Sequence, residues 1–285
     1  MTDPAAVSAV SAATPAPVRP GVRVALFDLD HTLLPHDTQG LLANFVLRRQ
    51  RGRTLLHLPF LAVAPARVLR LVSTRFLKRM FLNYLWRLPR PQLERLVLEF
   101  VTSEVRPRLY PSVLEELERH RREGRTTVLN SASPEFYVTA IGRELGFDHA
   151  IGTRVDLGPG PRVRWLPDID GPNNKRAAKL ERMRELLGVT PGEPWPGHDG
   201  RPPLEDSWAY SDSAADVPLL RLARHKVLVH PSAEFSAIGG HEGWDMTVLQ
   251  PPRPYAGETG ARLTSLRQAF GLYPPASKQS LPTTS

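Results

Sequence analysis

The stretch Val24-Ala-Leu-Phe-Asp-Leu-Asp-His-Thr-Leu-Leu34 decides how the chain is read. It opens as a short apolar run, the pattern of a buried parallel strand. Two carboxylates follow, Asp28 and Asp30, two residues apart. At the carboxyl end of a strand they share one small polar pocket, the place where ligands of open α/β sheets bind. Like charges this close repel and call for a cation, and Mg²⁺ is the natural partner of hard oxygen ligands. An isolated Asp-x-Asp reads better as a strand running into an Asp-rich turn, so the choice between the two depends on what accompanies it.

Three later stretches accompany it. Val128-Leu-Asn-Ser-Ala-Ser133 is an apolar strand ending in small hydroxyl residues, Lys179 falls on an expected helix, and Ala209-Tyr-Ser-Asp-Ser-Ala-Ala-Asp216 ends a third strand with Asp212 and Asp216. The order Asp-x-Asp-x-Thr, then Ser, then Lys, then Asp-Ser-x-x-Asp resembles the haloacid dehalogenase (HAD) superfamily. Ser-Ala-Ser-Pro-Glu-Phe-Tyr-Val and Gly152-Thr153 are similar to its phosphoserine-phosphatase-like subfamily, over roughly residues 22–240.

The bulk composition agrees with an anion-binding protein. The 285 residues carry a net charge of +8, which favours phosphate esters, an acidic membrane surface or nucleic acid as partners. Cysteine is absent, so disulfides and thiolate chemistry are excluded. No zinc-ligand cluster, phosphate-binding Walker loop or internal repeat occurs. Residues 1–20 are rich in Ala, Ser, Pro, Val and Thr, begin their charge with Asp3 and read as a disordered tail rather than a secretory signal.

The stretch from 41 to 90 is the least ordinary. It holds eleven Lys or Arg residues and no Asp or Glu, among dense Leu, Phe, Tyr84 and Trp86. Pro59 and Pro65 are expected to divide it into helical pieces. Its apolar runs are short for a membrane span, which needs about 20 apolar residues. Two readings stand side by side: a basic amphipathic hairpin on an anionic membrane surface, or a helical lid whose basic face is merely solvated. Nucleic acid is not expected, because the basic residues are mixed with bulky aliphatics.

Strands alternating with helices predict an α/β fold with a mostly parallel sheet. The excursion from 35 to 108 is too long for a simple crossover and reads as an inserted helical cap. The resemblance implies the same: a Rossmann-like core at 21–34 plus 109–250, with a C1-type cap at 35–108. Residues 189–206, rich in Pro and Gly, read as a long loop. From 251 to 285 the chain reads as a mostly disordered tail, with a short helix conceivable over 263–270.

The resemblance also implies roles. Asp28 attacks phosphorus and forms an aspartyl-phosphate; Asp30 protonates the leaving oxygen and then activates water. The Asp28 side chain, the Asp30 main-chain carbonyl and Asp212 bind Mg²⁺, Ser131 and Lys179 bind phosphate, and Thr32 and Asp216 support the site. Asp212 and Asp216 also read as helix caps, Ser133 as the cap of the helix at Pro134, and Lys179 as a solvated lysine. His31 stands where the family pattern commonly has Gly or Ser, and Ser211 where it usually has Gly before the Asp-Ser pair. Asp37 stands near the position of a Glu that binds the substrate ammonium in phosphoserine phosphatases, which makes it a candidate substrate contact.

The expected activity is Mg²⁺-dependent phosphomonoester hydrolysis. Tyr210-Ser-Asp-Ser213, Pro218-Leu-Leu220 and the Leu/Pro-rich basic segment are similar to the bacterial phosphatidylglycerophosphatase C family. This resemblance implies a phospholipid headgroup as substrate and a cytoplasmic chain at the inner face of the membrane. The alternatives are a soluble ester such as phosphoserine and a non-catalytic membrane-associated module.

Overall fold

In the computed structural model the described residues are 23–69, 71–187 and 204–278. The expectations for residues 1–20 and for most of the 189–206 loop fall outside them. The chain runs β1 (Val24–Phe27), α1 (Thr38–Arg49), α2 (Thr54–Val68), α3 (Thr74–Phe81), α4 (Arg90–Phe100), α5 (Pro111–Arg122), β2 (Thr126–Pro134), α6 (Glu135–Leu145) and β3 (His149–Thr153). It continues through β4 (Val155–Asp156), β5 (Asp168–Ile169), α7 (Ala177–Leu187), β6 (Leu204–Ser211), α8 (Val217–Leu220), β7 (Ala223–Val229), α9 (Ala233–His241), β8 (Met246–Leu249) and α10 (Gly257–Ala269).

A six-stranded sheet in the order β3-β2-β1-β6-β7-β8 organises these elements. Every pairing in it is parallel. The strand β1 is buried along its whole length, because both faces of a parallel sheet are covered by helices. Its alternation divides the core. Ala25 and Phe27 join the cluster that includes Leu41, Phe45, Phe100 and Tyr137; Val24 and Leu26 join Met183, Leu219 and Phe235 on the other side. Phe27 stacks on Tyr210 at 4.2 Å between ring centroids.

Between β1 and β2 the described chain is helical. The α2 helix runs through Pro59 and Pro65, where a break was expected. Packing outweighs the missing backbone donors: His57 and Phe60 of α2 meet Phe81 edge-on at 4.8 and 5.0 Å, and His57 also meets Tyr84. The basic residues of 41–90 also find acids outside that stretch. Arg48 pairs with Glu104, Arg49 with Glu99, and Arg75 and Arg79 with Asp168. The absence of acids within the stretch therefore does not leave an uninterrupted cationic face. Among the described residues no helix is long and apolar enough to cross a membrane.

Two expectations are corrected in the last third. The helix expected over 214–223 is a 3₁₀ turn, Ala214–Asp216, followed by the short α8, since β7 already begins at Ala223. Residues 251–278 are not a disordered tail. They carry α10, bury Gln268 and Tyr273, and fasten to α1: the Asn44 amide donates to the Tyr273 carbonyl at 3.1 Å and accepts from its N–H at 3.0 Å.

Candidate active site

The sheet register places the functional side chains together. Phe27 is level with Leu129 of β2 and Tyr210 of β6. One step further, Asp28 leaves β1, and its N–H donates to the Tyr210 carbonyl at 3.0 Å. Loops leaving β1, β2 and β6 thus meet over the carboxyl edge of the sheet.

Lys179 of α7 fills the centre of this edge. Its side chain is 2% exposed, and Nζ donates to Asp28 Oδ1 at 2.7 Å and Asp216 Oδ2 at 2.8 Å. Lys179 is therefore not a solvated helix lysine, and Asp216 spends its carboxylate on Lys179 rather than on capping α8, which has no side-chain cap. Ser211 donates to Asp216 Oδ2 at 2.9 Å and accepts from the Ser213 N–H at 3.1 Å. The hydroxyl that Ser211 brings in place of glycine thus orients Asp216. Asp212 caps no helix either; Ser213 takes that place by accepting from Ala215 N–H at 3.2 Å.

Thr32 joins the first and last motifs. Its Oγ1 lies 3.4 Å from both Asp28 Oδ2 and Asp212 Oδ1, and it accepts from the Asp212 N–H at 3.1 Å. The loop reaches this point through His31, whose φ of 60° is in the left-handed region that a small residue adopts more readily. Burial, with Asp216, Asp212 and Asp30 adding repulsion, lifts the Asp28 carboxyl well above its ordinary range against the pull of Lys179. Burial likewise pushes Asp212 up to about 6. One ammonium is thus shared among several carboxylates. A further hard cation held by Asp28 and Asp212 would relieve that excess, so the donor set fits Mg²⁺. Among the described residues no three His, Cys, Asp or Glu side chains gather as a metal site; a cation here would draw on these two carboxylates and on main-chain oxygen.

Asp30 faces a different set of partners. Its Oδ1 accepts from the N–H and the hydroxyl of Thr38 at 2.7 and 2.6 Å, and its Oδ2 accepts from Ser133 Oγ at 2.7 Å. Ser131 Oγ stands 3.5 Å from the same oxygen and accepts from the Ser133 N–H at 3.0 Å. Ser133 does not cap the following helix. The strand β2 continues through Pro134, and Pro134 takes the cap position of α6 without a side-chain bond. Asp37 caps α1 instead of standing free: one of its oxygens accepts from Gln39 and Gly40 N–H at 2.8 and 3.2 Å.

A cavity of about 570 Å³ opens over this edge. Asp30, Asp37 and Ser133 form its polar floor, Phe60, Leu77 and Phe81 line it from the helical insert, and Leu266 and Ala269 line it from α10. Lys78 and Lys175 reach it as well. Lys78 donates to the Ala132 carbonyl at 2.6 Å and to Asn173 Oδ1 at 2.8 Å, and burial lowers its pKa to about 8. Thr38, Lys78 and the α10 residues were not singled out by sequence. Thr38 sits in the helix start Asp37-Thr-Gln, a visible capping signal; nothing in the sequence pattern marks the other two.

The haloacid dehalogenase-like hydrolase family matches residues 25–221, and the chain belongs to that family. It is similar to the histidinol-phosphatase of Neisseria meningitidis, 27% identical over 146 residues, covering 51% of this chain and 62% of that protein. It is also similar to a probable phosphatase of Mycobacterium tuberculosis, 29% identical over 164 residues, covering 56% of this chain and 51% of that one. The chain thus spans only about half to three-fifths of these curated relatives. Among solved structures it resembles a protein of unknown function from Bordetella pertussis Tohama I, 25% identical with a TM-score of 0.62, covering 81% of this chain and 98% of that one. A probable phosphoserine phosphatase from Vibrio cholerae shares the fold at 14% identity and a TM-score of 0.54, covering 94% of this chain and 70% of that one.

Proposed function

We propose that the chain is a Mg²⁺-dependent phosphomonoester hydrolase with Asp28 as nucleophile and Asp30 as general acid and base. The observation that carries this reading is the Lys179 ammonium locked between Asp28 and Asp216 at the end of β1. A cation fixed beside a carboxylate nucleophile stabilises a transferring phosphoryl group without reorganising.

In the first step an Asp28 oxygen bonds to phosphorus, the ester P–O bond breaks, and Asp30 passes its proton to the leaving oxygen. In the second, water attacks the phosphoryl group, its proton returns to Asp30, and Asp28 is released with inorganic phosphate. Thr38 and Ser133 hold the Asp30 carboxyl in one orientation throughout. Lys179, the Ser131 hydroxyl and the amino end of α6 bind phosphoryl oxygens. Mg²⁺, held by Asp28, Asp212 and the Asp30 carbonyl, would supply further positive charge to that group.

For the substrate, two readings remain in the proposal. Leu55, Leu58, Leu69 and Leu71 are exposed on α2 and the turn after it, which favours an insert lying on an anionic membrane and a phospholipid headgroup such as phosphatidylglycerophosphate. The name of the Neisseria relative favours a small soluble ester. The test is phosphate release with Mg²⁺ or EDTA from phosphatidylglycerophosphate in mixed micelles, histidinol phosphate, phosphoserine and acetyl phosphate, with Asp28→Asn beside the wild type. Mg²⁺-dependent release lost in Asp28→Asn is the expected result. Absence of release from every member would overturn the reading and favour a non-catalytic module.

A further inference from the structure

The family match ends at residue 221, yet the site does not. After β8 the chain turns back across the sheet edge and packs beside the first motif. Tyr255 donates its hydroxyl hydrogen to the Pro35 carbonyl at 2.5 Å. Two close approaches set α10 and its end against α1. A Cβ on Gly40 would stand 3.0 Å from Gln268 Oε1, and one on Gly271, already at a φ of +69°, would stand 2.8 Å from Leu47 Cβ. The Asn44–Tyr273 pair closes the attachment. So fastened, α10 presents Leu266 and Ala269 to the cavity that holds Asp30 and Ser133, opposite Phe60, Leu77 and Phe81.

Resting on the hydrolase reading above, we propose that residues 255–273 are a specificity element: α10 and the helical insert together form an apolar clamp for the leaving group, which selects phosphomonoesters whose alcohol carries an alkyl body. Asp30, Asp37 and Ser133 make one end of the cavity polar, while Phe60, Leu77 and Phe81 of the insert and Leu266 and Ala269 of α10 give it apolar surface beside Ser265 and Gln268, so a leaving oxygen at Asp30 directs such a body between α10 and the insert. A cavity of about 570 Å³ exceeds the volume of a phosphate and a short alcohol, and leaves room for an alkyl chain.

The test uses the full chain with Mg²⁺ and a series of monomeric n-alkyl phosphates from methyl to octyl, with acetyl phosphate in parallel. The expected result is a rise of roughly two- to fourfold in kcat/KM per added methylene until the cavity is filled, carried mainly by KM. Leu266→Asp, at a half-exposed position where folding tolerates charge, should flatten this dependence and lower kcat/KM more for octyl than for acetyl phosphate. Ala269→Leu should make the rise level off at a shorter chain. Presenting the octyl ester as monomer or in mixed micelles distinguishes a soluble amphiphile from a lipid at a surface; preference for either form retains the clamp. A wild type that releases phosphate from acetyl phosphate but shows no dependence on chain length would overturn the clamp and leave the hydrolase reading standing. Release from no ester would overturn both.

Discussion

Asn44 and Tyr273, 229 residues apart in sequence, exchange two hydrogen bonds in the interior, the Asn44 side chain both donating to and accepting from the Tyr273 main chain. This joins α1, the helix that follows Asp28 and Asp30, to the turn after α10. Asn44→Leu keeps approximate volume but orphans two buried backbone groups. A single orphaned group costs about 1–3 kcal/mol. For a chain of this size, a loss of about 2 kcal/mol lowers Tm by roughly 4–8 °C, which differential scanning calorimetry would register. An unchanged Tm would show that the C-terminal segment is not fastened this way.

Lys179→Met removes the shared ammonium and leaves Asp28 and Asp216 buried together without it. Activity should fall about 10²–10³-fold, the cost of removing one preorganised charge partner of a reacting group. Lys179→Arg should not restore it, because the slot is closed and lined by two carboxylates at 2.7 and 2.8 Å. Steady-state kinetics on any turned-over ester would check both variants.

The Ser133 hydroxyl donates to Asp30, so Ser133→Ala should act on proton transfer more than on binding. Loss of one hydrogen bond to a charged group, about 1.5–3 kcal/mol, corresponds to roughly a 10- to 150-fold fall. We expect it in kcat, with KM nearly unchanged. A rise in KM alone would mean that Ser133 binds substrate instead of orienting Asp30.

Lys78 carries its charge below about pH 8 and loses it above, because burial lowers its pKa from the usual lysine value. If it reads the substrate anion, KM rises as pH passes upward through about 8, and Lys78→Met removes this limb. A wild-type KM that is flat from pH 7 to 9.5 would argue that Lys78 only tethers the insert to the Ala132 carbonyl.

His36 is buried against Tyr273, with Arg108 nearby, and its pKa is lowered to about 3. The folded chain keeps it neutral between about pH 3 and 6.5, whereas the unfolded chain protonates it there. Stability is therefore fully present above pH 6.5 and falls as pH drops, by about 1.4 kcal/mol per pH unit for this group. His36→Gln should make the loss of Tm between pH 6.5 and 4 correspondingly shallower.

Much of the candidate site could be read from sequence because Asp28 and Asp212 directly follow strands of one parallel sheet and Ser131 lies near the carboxyl end of another. Asp28, Ser131 and Asp212 lie where apolar runs stop, and the sheet register brings such ends together without further information. Lys179 needed only a helix leading to the same edge. What could not be read depends on tertiary packing. Pro59 stays inside α2 where His57 and Phe60, on either side of it, pack on Phe81, and the helix runs on through Pro65. The α10 helix leaves Leu263 and Leu266 about half exposed and buries polar Gln268, the reverse of the pattern that marks a packed helix. The acid-free run from 41 to 90 suggested an open cationic surface, yet Glu99, Glu104 and Asp168 arrive from other elements to pair with it.

The most direct test of Asp28 as nucleophile is a single-turnover reaction with a phosphate-labelled ester and Mg²⁺, quenched in acid within milliseconds and mapped by peptide mass spectrometry. The proposed chemistry predicts an acid-stable, base-labile phosphoryl group on Asp28, approaching one per chain and absent from Asp28→Asn. Turnover with no labelled peptide, or with the label on another residue, would contradict it.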